Sequence, residues 1–243
     1  MPLPSAEPST VAEMVPTGTL RAAINFGNPV LARRDPQGPG GISADLAREL
    51  ARRLGVPIAF VTYDSAGKVV QGLDANQAWD VCFLAIDPLR AATIAFTEPY
   101  VLIEGVFMVA DGSPLRSQAD VDCAGVRVGA VVGSAYDLHL SRALQHATIE
   151  RAPEIGPLMS LWDSGELDVV GGVKPQLAAL SASRQGTRLL PEPFMAIRQA
   201  MGLPAQREAG ARYLRAFVDE MKASGFVAEA FARNRIEGAS MAP

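Results

Sequence analysis

Short apolar runs typical of strands alternate with amphipathic segments over the first 110 residues. The strand-like runs are TLRAAINF (19–26), IAFVTY (58–63), WDVCFLAI (79–86) and EGVFMVA (104–110). In SADLARELARRLG, Leu46, Leu50 and Leu54 recur every four residues and share one helical face, and Ser43 is the predicted N-cap. A further helical run, KVVQGLDAN, precedes the third strand. This βαβαβ order predicts a mostly parallel sheet flanked by helices.

The pattern restarts after Ala110. VRVGAVV is strand-like, Gly133-Ser134-Ala135 opens a helix, and LMSLWDSGELDVVGGV is typical of a helix, a turn and a strand. Two helical runs, EAGARYLRAFVDEMKASG and FVAEAFARNRI, end the chain. We therefore predict an α/β chain of two lobes, with the second inserted between Ala110 and about Ile197 and the C-terminal helices returning toward the first.

The predicted domain bounds follow from this restart. Lobe 1 comprises residues 18–109 and 198–243, and lobe 2 comprises residues 110–197. Residues 1–17 are rich in Pro, Ser and Glu, which favours a flexible arm. The arm has no Lys or Arg and no apolar core, so it does not resemble a secretory signal as written. Either a leader was removed or the chain stays in the cytoplasm.

Composition narrows the function classes. The chain has 243 residues, 49% of them apolar and 20% charged, which indicates a globular protein. A net charge of −4 argues against nucleic-acid binding. Two histidines, His139 and His146, and two cysteines, Cys82 and Cys123, supply too few ligands to indicate a metal site. Cys82 lies in a predicted core strand, which disfavours a disulfide but leaves it open.

Arg90 is the strongest candidate for binding chemistry. It follows a predicted core strand and lies in AIDPLRAATIAFTEPY, where apolar residues resume directly after it. A guanidinium can contact a carboxylate with two parallel hydrogen bonds, which strengthen when water is excluded. The alternative is a surface arginine paired with Glu98 or Asp87.

Four stretches in this order resemble a known family. They are GISADLARELARRLGV, WDVCFLAIDPLRAATIAFTEPY, VRVGAVVGSAY and SGELDVVGGV. The resemblance is to the extracellular solute-binding proteins of family 3, the polar amino-acid group with the type II periplasmic fold, and it spans residues 18–236. It implies a monomer without cofactor whose two lobes are joined by two hinge crossovers, near EGVFMVA and PFMAIRQAMGL. Such a protein closes on a small molecule by hinge motion and delivers it to an ABC transporter permease. It also implies a periplasmic location.

The resemblance assigns roles to individual residues. Arg90 matches the arginine that binds the ligand carboxylate, and Ser134 with the Ala135 amide would complete the clamp from the other lobe. A strand that ends at a helix N-terminus also suits an anion on physical grounds. Ser134 can act as a plain N-cap at the same time.

Three positions depart from the amino-acid-binding pattern. The family's ammonium-binding Asp is Val173 here, its stacking aromatic is Ala66, and its serine near the end of the strand before Arg90 is Ala85. An apolar side chain cannot neutralise a buried ammonium. Lys174, beside Val173, would favour an acidic group, although a surface role is the alternative. These departures predict a ligand that is an organic acid or a modified amino acid.

Asn25 and Asn28 remain as candidate polar contacts to the ligand, and each is also an ordinary turn residue.

Two other functions compete with ligand binding for transport. A dehydratase branch shares the fold, but its acidic residue corresponds to Pro175, and only His139 and Glu104 stay open as proton-transfer groups. We therefore expect no enzyme activity. A cytoplasmic ligand sensor is the second alternative.

Overall fold

The structure, a computed structural model, describes residues 5–76 and 78–243. The strands are β1 (Leu20–Asn25), β2 (Arg33–Asp35), β3 (Gly38–Gly40), β4 (Ile58–Tyr63), β5 (Val81–Ala85), β6 (Ile94–Phe96), β7 (Val101–Ala110), β8 (Arg127–Val131), β9 (Thr148–Ala152), β10 (Val169–Val173), β11 (Thr187–Leu189), β12 (Met195–Pro204) and β13 (Ala239–Met241). The helices are α1 (Pro8–Met14), α2 (Ile42–Leu54), α3 (Ala66–Asn76), α4 (Gln118–Val121), α5 (Ala135–Ala143), α6 (Ile155–Asp163), α7 (Lys174–Ser183), α8 (Glu208–Ala223) and α9 (Phe226–Asn234). Among the described helices, none is both long and apolar enough to cross a bilayer.

The chain divides into two compact units. Unit 1 comprises the described residues up to Leu102 together with Arg198–Pro243, and unit 2 comprises Ile103–Ile197. The chain leaves unit 1 within β7 and returns within β12, in the two segments where we predict hinge crossovers. The first boundary lies at 102/103, inside β7, whereas the sequence prediction places it at 109/110.

Unit 1 contains a sheet in the strand order β4-β1-β5-β12. β1 runs parallel to β4 and to β5, whereas β12 is antiparallel to β5 and also pairs with β6. β2 and β3 form a separate antiparallel hairpin, which the sequence analysis does not predict. Since β1, β4 and β5 are parallel, their carboxyl ends lie at one edge of the sheet.

Helix α2 shows how local sequence determines an element in unit 1. Its apolar face, with Leu46 and Leu50, is fully buried, as the four-residue spacing predicts. Gly55 ends the helix in the left-handed conformation, a common helix stop. The predicted N-cap is wrong: Gly41, with φ at 96°, precedes the helix, and Ser43 lies buried inside its first turn.

One hydrophobic core cluster of unit 1 surrounds Trp79. This side chain is fully buried against Val69, Leu73 and Leu84, and its indole Nε1 donates to the Val69 carbonyl at 2.8 Å. Cys82 is buried in the same cluster, whereas Cys123 is exposed in unit 2, and both thiols are free.

The predicted flexible arm contains an ordered helix. Residues 1–4 lie outside the described residues, but residues 8–14 form α1, which packs on α8. Met14 is fully buried, and its carbonyl accepts a hydrogen bond from Arg207 at 3.0 Å. Glu13 accepts from the Gly210 amide in the first turn of α8 at 3.0 Å. These contacts fix the segment to unit 1.

Unit 2 contains a sheet in the strand order β7-β10-β8-β9, with β11 paired to β7. β8 is parallel to β9 and β10, and β7 is antiparallel to β10 with Gly105 opposite Val173. The carboxyl ends of β8 and β10 therefore lie at the same edge as the first residues of β7. This edge carries the unit 2 residues that the sequence analysis selects.

Candidate functional site

Arg90 occupies the carboxyl edge of the unit 1 sheet, the edge at which parallel α/β sheets bind ligands. It begins a short 3-10 turn, Arg90–Ala92, just after β5. Asp87 shapes this turn, because its carboxylate accepts from the Leu89 amide and its carbonyl accepts from the Ala91 amide, both at 2.9 Å. The side chain of Arg90 turns back, and Nη1 donates to the Ala85 carbonyl at 2.9 Å.

Arg90 is only 3% exposed, so it is not a surface arginine. Burial lowers the pKa of the guanidinium, and the nearby charge of Asp87 opposes that shift. The group keeps its proton, because the arginine guanidinium is not deprotonated in proteins. The alternative partner Glu98 instead contacts Arg198, at 3.4 Å. Unit 1 thus holds a desolvated positive charge at the edge of its parallel strands.

Asn25 and Asn28 both fold the loop that follows β1. The Asn25 side-chain oxygen accepts from the Gly27 amide at 2.9 Å, and that of Asn28 accepts from the Val30 amide at 3.2 Å. Both asparagine side chains therefore stabilise the turn. Each Asn also carries an NH₂ group that is a donor and that the turn does not use.

The two candidate alanines of unit 1, Ala85 and Ala66, have different surroundings. Ala85 ends β5, is buried and supplies the carbonyl that holds Arg90. Ala66 begins α3 and packs against the cluster around Trp79. Neither side chain can bond a ligand, but the Ala85 backbone positions the arginine.

An aromatic–cation contact at this edge is not predicted from the sequence. Phe26 follows β1 directly, and the guanidinium of Arg34 lies 4.1 Å from the centre of its ring. Arg34 also donates to Asp64 at 2.6 Å. An aromatic residue at a strand end is a signal that could indicate Phe26, whereas Arg34 reaches it from the unpredicted β2–β3 hairpin.

Ser134 and Ala135 lie at the carboxyl edge of the unit 2 sheet. Ser134 is the N-cap of α5, and its hydroxyl accepts from the Asp137 amide at 3.0 Å. Ala135 is the first residue of the helix, so its amide has no acceptor inside the helix. The buried Asp137 carboxylate accepts from the Gly133 amide and from Arg151, each at 2.8 Å. Arg151 offsets a negative charge that would otherwise oppose an anion here.

Val173 and Lys174 lie where β10 ends and α7 begins. Val173 is buried, and Lys174 is exposed and forms an ion pair with Glu104. Pro175 is the second residue of α7 and contributes no titratable group. His139 stacks on Phe194, with ring centres 5.9 Å apart. The unit 2 edge therefore presents a lysine and a glutamate beside an apolar Val173.

The chain has two α/β units, and each carries polar groups at the carboxyl edge of its parallel strands. This arrangement is typical of the class of two-lobe periplasmic binding folds. The model for bacterial extracellular solute-binding proteins, family 3, matches residues 20–234, and the chain belongs to this family. The family predicted from the four sequence stretches and the predicted fold class are therefore confirmed.

Solved structures of amino-acid-binding proteins share this fold. A mutant of ArgBP from T. maritima has a TM-score of 0.78 and 21% identity, covering 94% of this chain and 100% of that chain. A lysine complex of a putative binding component of an ABC transporter from Wolinella succinogenes has a TM-score of 0.75 and 20% identity, covering 89% and 95%. The ancestral amino acid-binding protein AncCDT-1, described as a precursor of cyclohexadienyl dehydratase, has a TM-score of 0.75 and 20% identity, covering 92% and 98%. A search of curated proteins finds no match.

Proposed function

We propose that this solute-binding protein closes on a small carboxylate-bearing ligand and delivers it to an ABC transporter. Arg90 binds the ligand carboxylate, and Ser134 with the Ala135 amide binds it from unit 2. The ligand is an organic acid or a modified amino acid.

The burial of Arg90 is the observation that carries this proposal. A guanidinium at 3% exposure has lost most of its hydration, which costs free energy. A carboxylate that docks on it recovers part of that cost through charge-assisted hydrogen bonds. Such a bond contributes more in a site from which water is excluded than at the surface.

The ligand class follows from Val173. A free amino acid brings an ammonium that needs a carboxylate or several acceptors, and a buried Val173 supplies neither. Free amino acids are the competing ligand class, because structures with the same fold are described as complexes with arginine and with lysine.

Isothermal titration calorimetry with free amino acids, monocarboxylates and dicarboxylates tests the proposal. We expect an acid to bind and Arg90→Met to weaken it by about 2 kcal/mol or more, roughly 30-fold, the cost of truncating one partner of a buried charge pair. Arg52→Met is the matched control, since Arg52 is exposed on α2. Retained affinity in Arg90→Met, or tight binding of a free amino acid, would contradict the proposal.

A ligand-side comparison avoids the risk that Arg90→Met unfolds. The wild-type protein should bind the acid and reject its primary amide. A neutral amide has no negative charge and one acceptor oxygen, so it cannot accept two parallel charge-assisted hydrogen bonds from the guanidinium. Equal affinity for the acid and the amide would show that Arg90 does not recognise a carboxylate.

We also propose that the bound ligand leaves unchanged. Pro175 cannot transfer a proton, and the candidate groups Glu104 and His139 contact Lys174 and Phe194. The relation of AncCDT-1 to a dehydratase keeps that activity as the competing function. NMR of a hydroxy acid incubated overnight with the protein decides between them, and an unsaturated product formed by loss of water would overturn the binding-only role.

A further inference from the structure

Glu104 and Lys174 are brought together by the register of unit 2. β10 and β7 are antiparallel with Val173 opposite Gly105, so the next facing positions are Lys174 and Glu104. The Lys174 ammonium contacts the Glu104 carboxylate, although 70 residues separate them in the chain. The pair lies at the carboxyl edge of the sheet, the edge that also carries Ser134 after the parallel strand β8.

The pair is partly open to water. The Lys174 and Glu104 side chains are 45% and 46% exposed. Among the described residues, neither side chain has another hydrogen-bond or ion-pair partner. Exposed ion pairs contribute little to stability, so this contact can rearrange around an arriving group.

The chemistry of the pair favours one kind of ligand group. Lysine offers three donors and the carboxylate offers acceptor lone pairs, side by side and with no net charge. An ammonium would meet the Lys174 charge, and a second carboxylate would meet the Glu104 charge. A hydroxyl or an amide both donates and accepts, so it can bond to both side chains without a like-charge contact.

We propose that the Glu104–Lys174 pair binds a neutral hydroxyl or amide group next to the carboxylate of the ligand. The ligand is then a 2-hydroxy acid or an N-acyl amino acid. This inference rests on the proposed carboxylate-binding function and specifies the second recognition point of the same site.

The test is calorimetry with matched ligands that differ only at carbon 2. Propanoate, lactate and alanine form one series, and 4-methylpentanoate, its 2-hydroxy derivative and leucine form a second. We expect the 2-hydroxy acid to bind about tenfold tighter than the unsubstituted acid, the gain of a hydrogen bond to a charged group. In the double variant Glu104→Ala/Lys174→Ala that preference should vanish, so that the 2-hydroxy acid and the unsubstituted acid bind with affinities within about twofold of each other.

Asp163→Ala/Arg184→Ala is the matched control, because it removes another exposed ion pair of unit 2, at 2.5 Å, and should leave the preference intact. A preference for leucine or alanine that Glu104→Gln removes would overturn the inference and assign Glu104 to an ammonium. A preference for succinate over propanoate that Lys174→Gln removes would overturn it in favour of a second carboxylate. The absence of any preference among the three ligands would also overturn it.

Failure of the proposed function gives a different result. If no acid binds, or if Arg90→Met leaves acid affinity unchanged, carboxylate binding itself is wrong. If acids bind through Arg90 but the Glu104 and Lys174 variants behave as wild type, only the second recognition point is wrong.

Discussion

The same arginine–aspartate arrangement occurs in each unit, and we call these the unit 1 clasp (Arg21, Asp80) and the unit 2 clasp (Arg127, Asp168). In the unit 1 clasp, the Arg21 backbone amide, Nε and Nη2 donate to the Asp80 carboxylate at 2.9, 3.0 and 2.7 Å. In the unit 2 clasp, the same three groups of Arg127 donate to Asp168, each at 2.9 Å. In both, the Asp amide donates back to the Arg carbonyl, at 2.8 and 3.0 Å. The two clasps are therefore alike in hydrogen-bond pattern.

The clasps differ in burial. The Asp80 side chain is fully buried and accepts a further bond from Arg207 at 3.0 Å, whereas the Asp168 side chain is 38% exposed. Breaking a buried charge pair leaves a charge without water or partner, whereas an exposed group recovers its hydration. Burial, rather than geometry, thus sets what each clasp contributes to stability.

Both clasps lie at the amino edge of their sheets, opposite the candidate ligand residues. Arg21 is the second residue of β1 and Arg127 is the first residue of β8. Asp80 and Asp168 immediately precede the neighbouring parallel strands β5 and β10. Arg90 and Lys174 follow strand ends. The amino edges therefore carry the bonds that hold strands together, and the residues proposed to bind the ligand lie at the carboxyl edges.

The largest expected effect is that of Asp80→Asn. The substitution keeps the shape but removes the charge that faces Arg21 and the buried Arg207, so we expect a loss of about 3–5 kcal/mol in the free energy of unfolding. Urea denaturation measures it. Asp168→Asn makes the same chemical change in the exposed clasp, and equal losses in the two variants would break the comparison.

A smaller effect is expected for Arg207→Met. Asp80 keeps its bonds to Arg21, but the buried Met14 carbonyl loses its donor, so we expect a loss of about 1–3 kcal/mol. Because that bond fixes α1, limited proteolysis should also cut within residues 8–14 earlier than in wild type. If the stability falls as far as in Asp80→Asn, then Arg207 rather than Arg21 is the main partner of the buried carboxylate.

Most helices and strands of the sheets could be predicted, because their signals are local. The four-residue spacing in α2 and the apolar run of β5 each reflect a face that is buried in the structure. The edge strand β9, TIERA, was missed because mostly exposed side chains leave no apolar run. Helix α1 was missed because its stability comes from Gly210 and Arg207, far along the chain.

The candidate site likewise contains one residue that local sequence predicts and a pair that depends on contacts between distant strands. The position of Arg90 after a core strand is readable from sequence, since the carboxyl end of a parallel strand is where ligands bind. The Glu104–Lys174 pair is not readable, because it depends on the register of β7 against β10. The repeated pattern of an Arg at one strand start and an Asp before the next strand, in LRAAI with WDVCF and in VRVGA with LDVVG, is a signal that could have indicated the clasps.

The smallest effects belong to the unit 2 clasp. We expect Asp168→Asn to lower Tm by about 2 °C or less, in the range of exposed ion pairs in a chain of this size. Thermal melts monitored by circular dichroism at neutral pH measure it. A larger shift would mean that the exposed clasp anchors its sheet as firmly as the buried one.

The pH dependence of the Tm change in Asp168→Asn identifies the interaction that causes this change. Hydrogen bonds from the Arg127 side chain lower the pKa of Asp168 below its usual value, and burial opposes the shift. A lowered folded-state pKa stabilises the protein above the unfolded-state pKa of about 3.9, and this contribution is lost as the pH falls through the folded-state pKa. The Tm difference between wild type and Asp168→Asn should therefore be full at pH 6 and shrink as the pH falls below about 4. Arg127→Met should reduce the same pH dependence while Asp168 is still present, because the guanidinium is its main source and only the bond from the residue 127 amide remains. A difference that stays constant down to acidic pH would show that the carboxylate charge contributes nothing and that only the shape of the clasp matters.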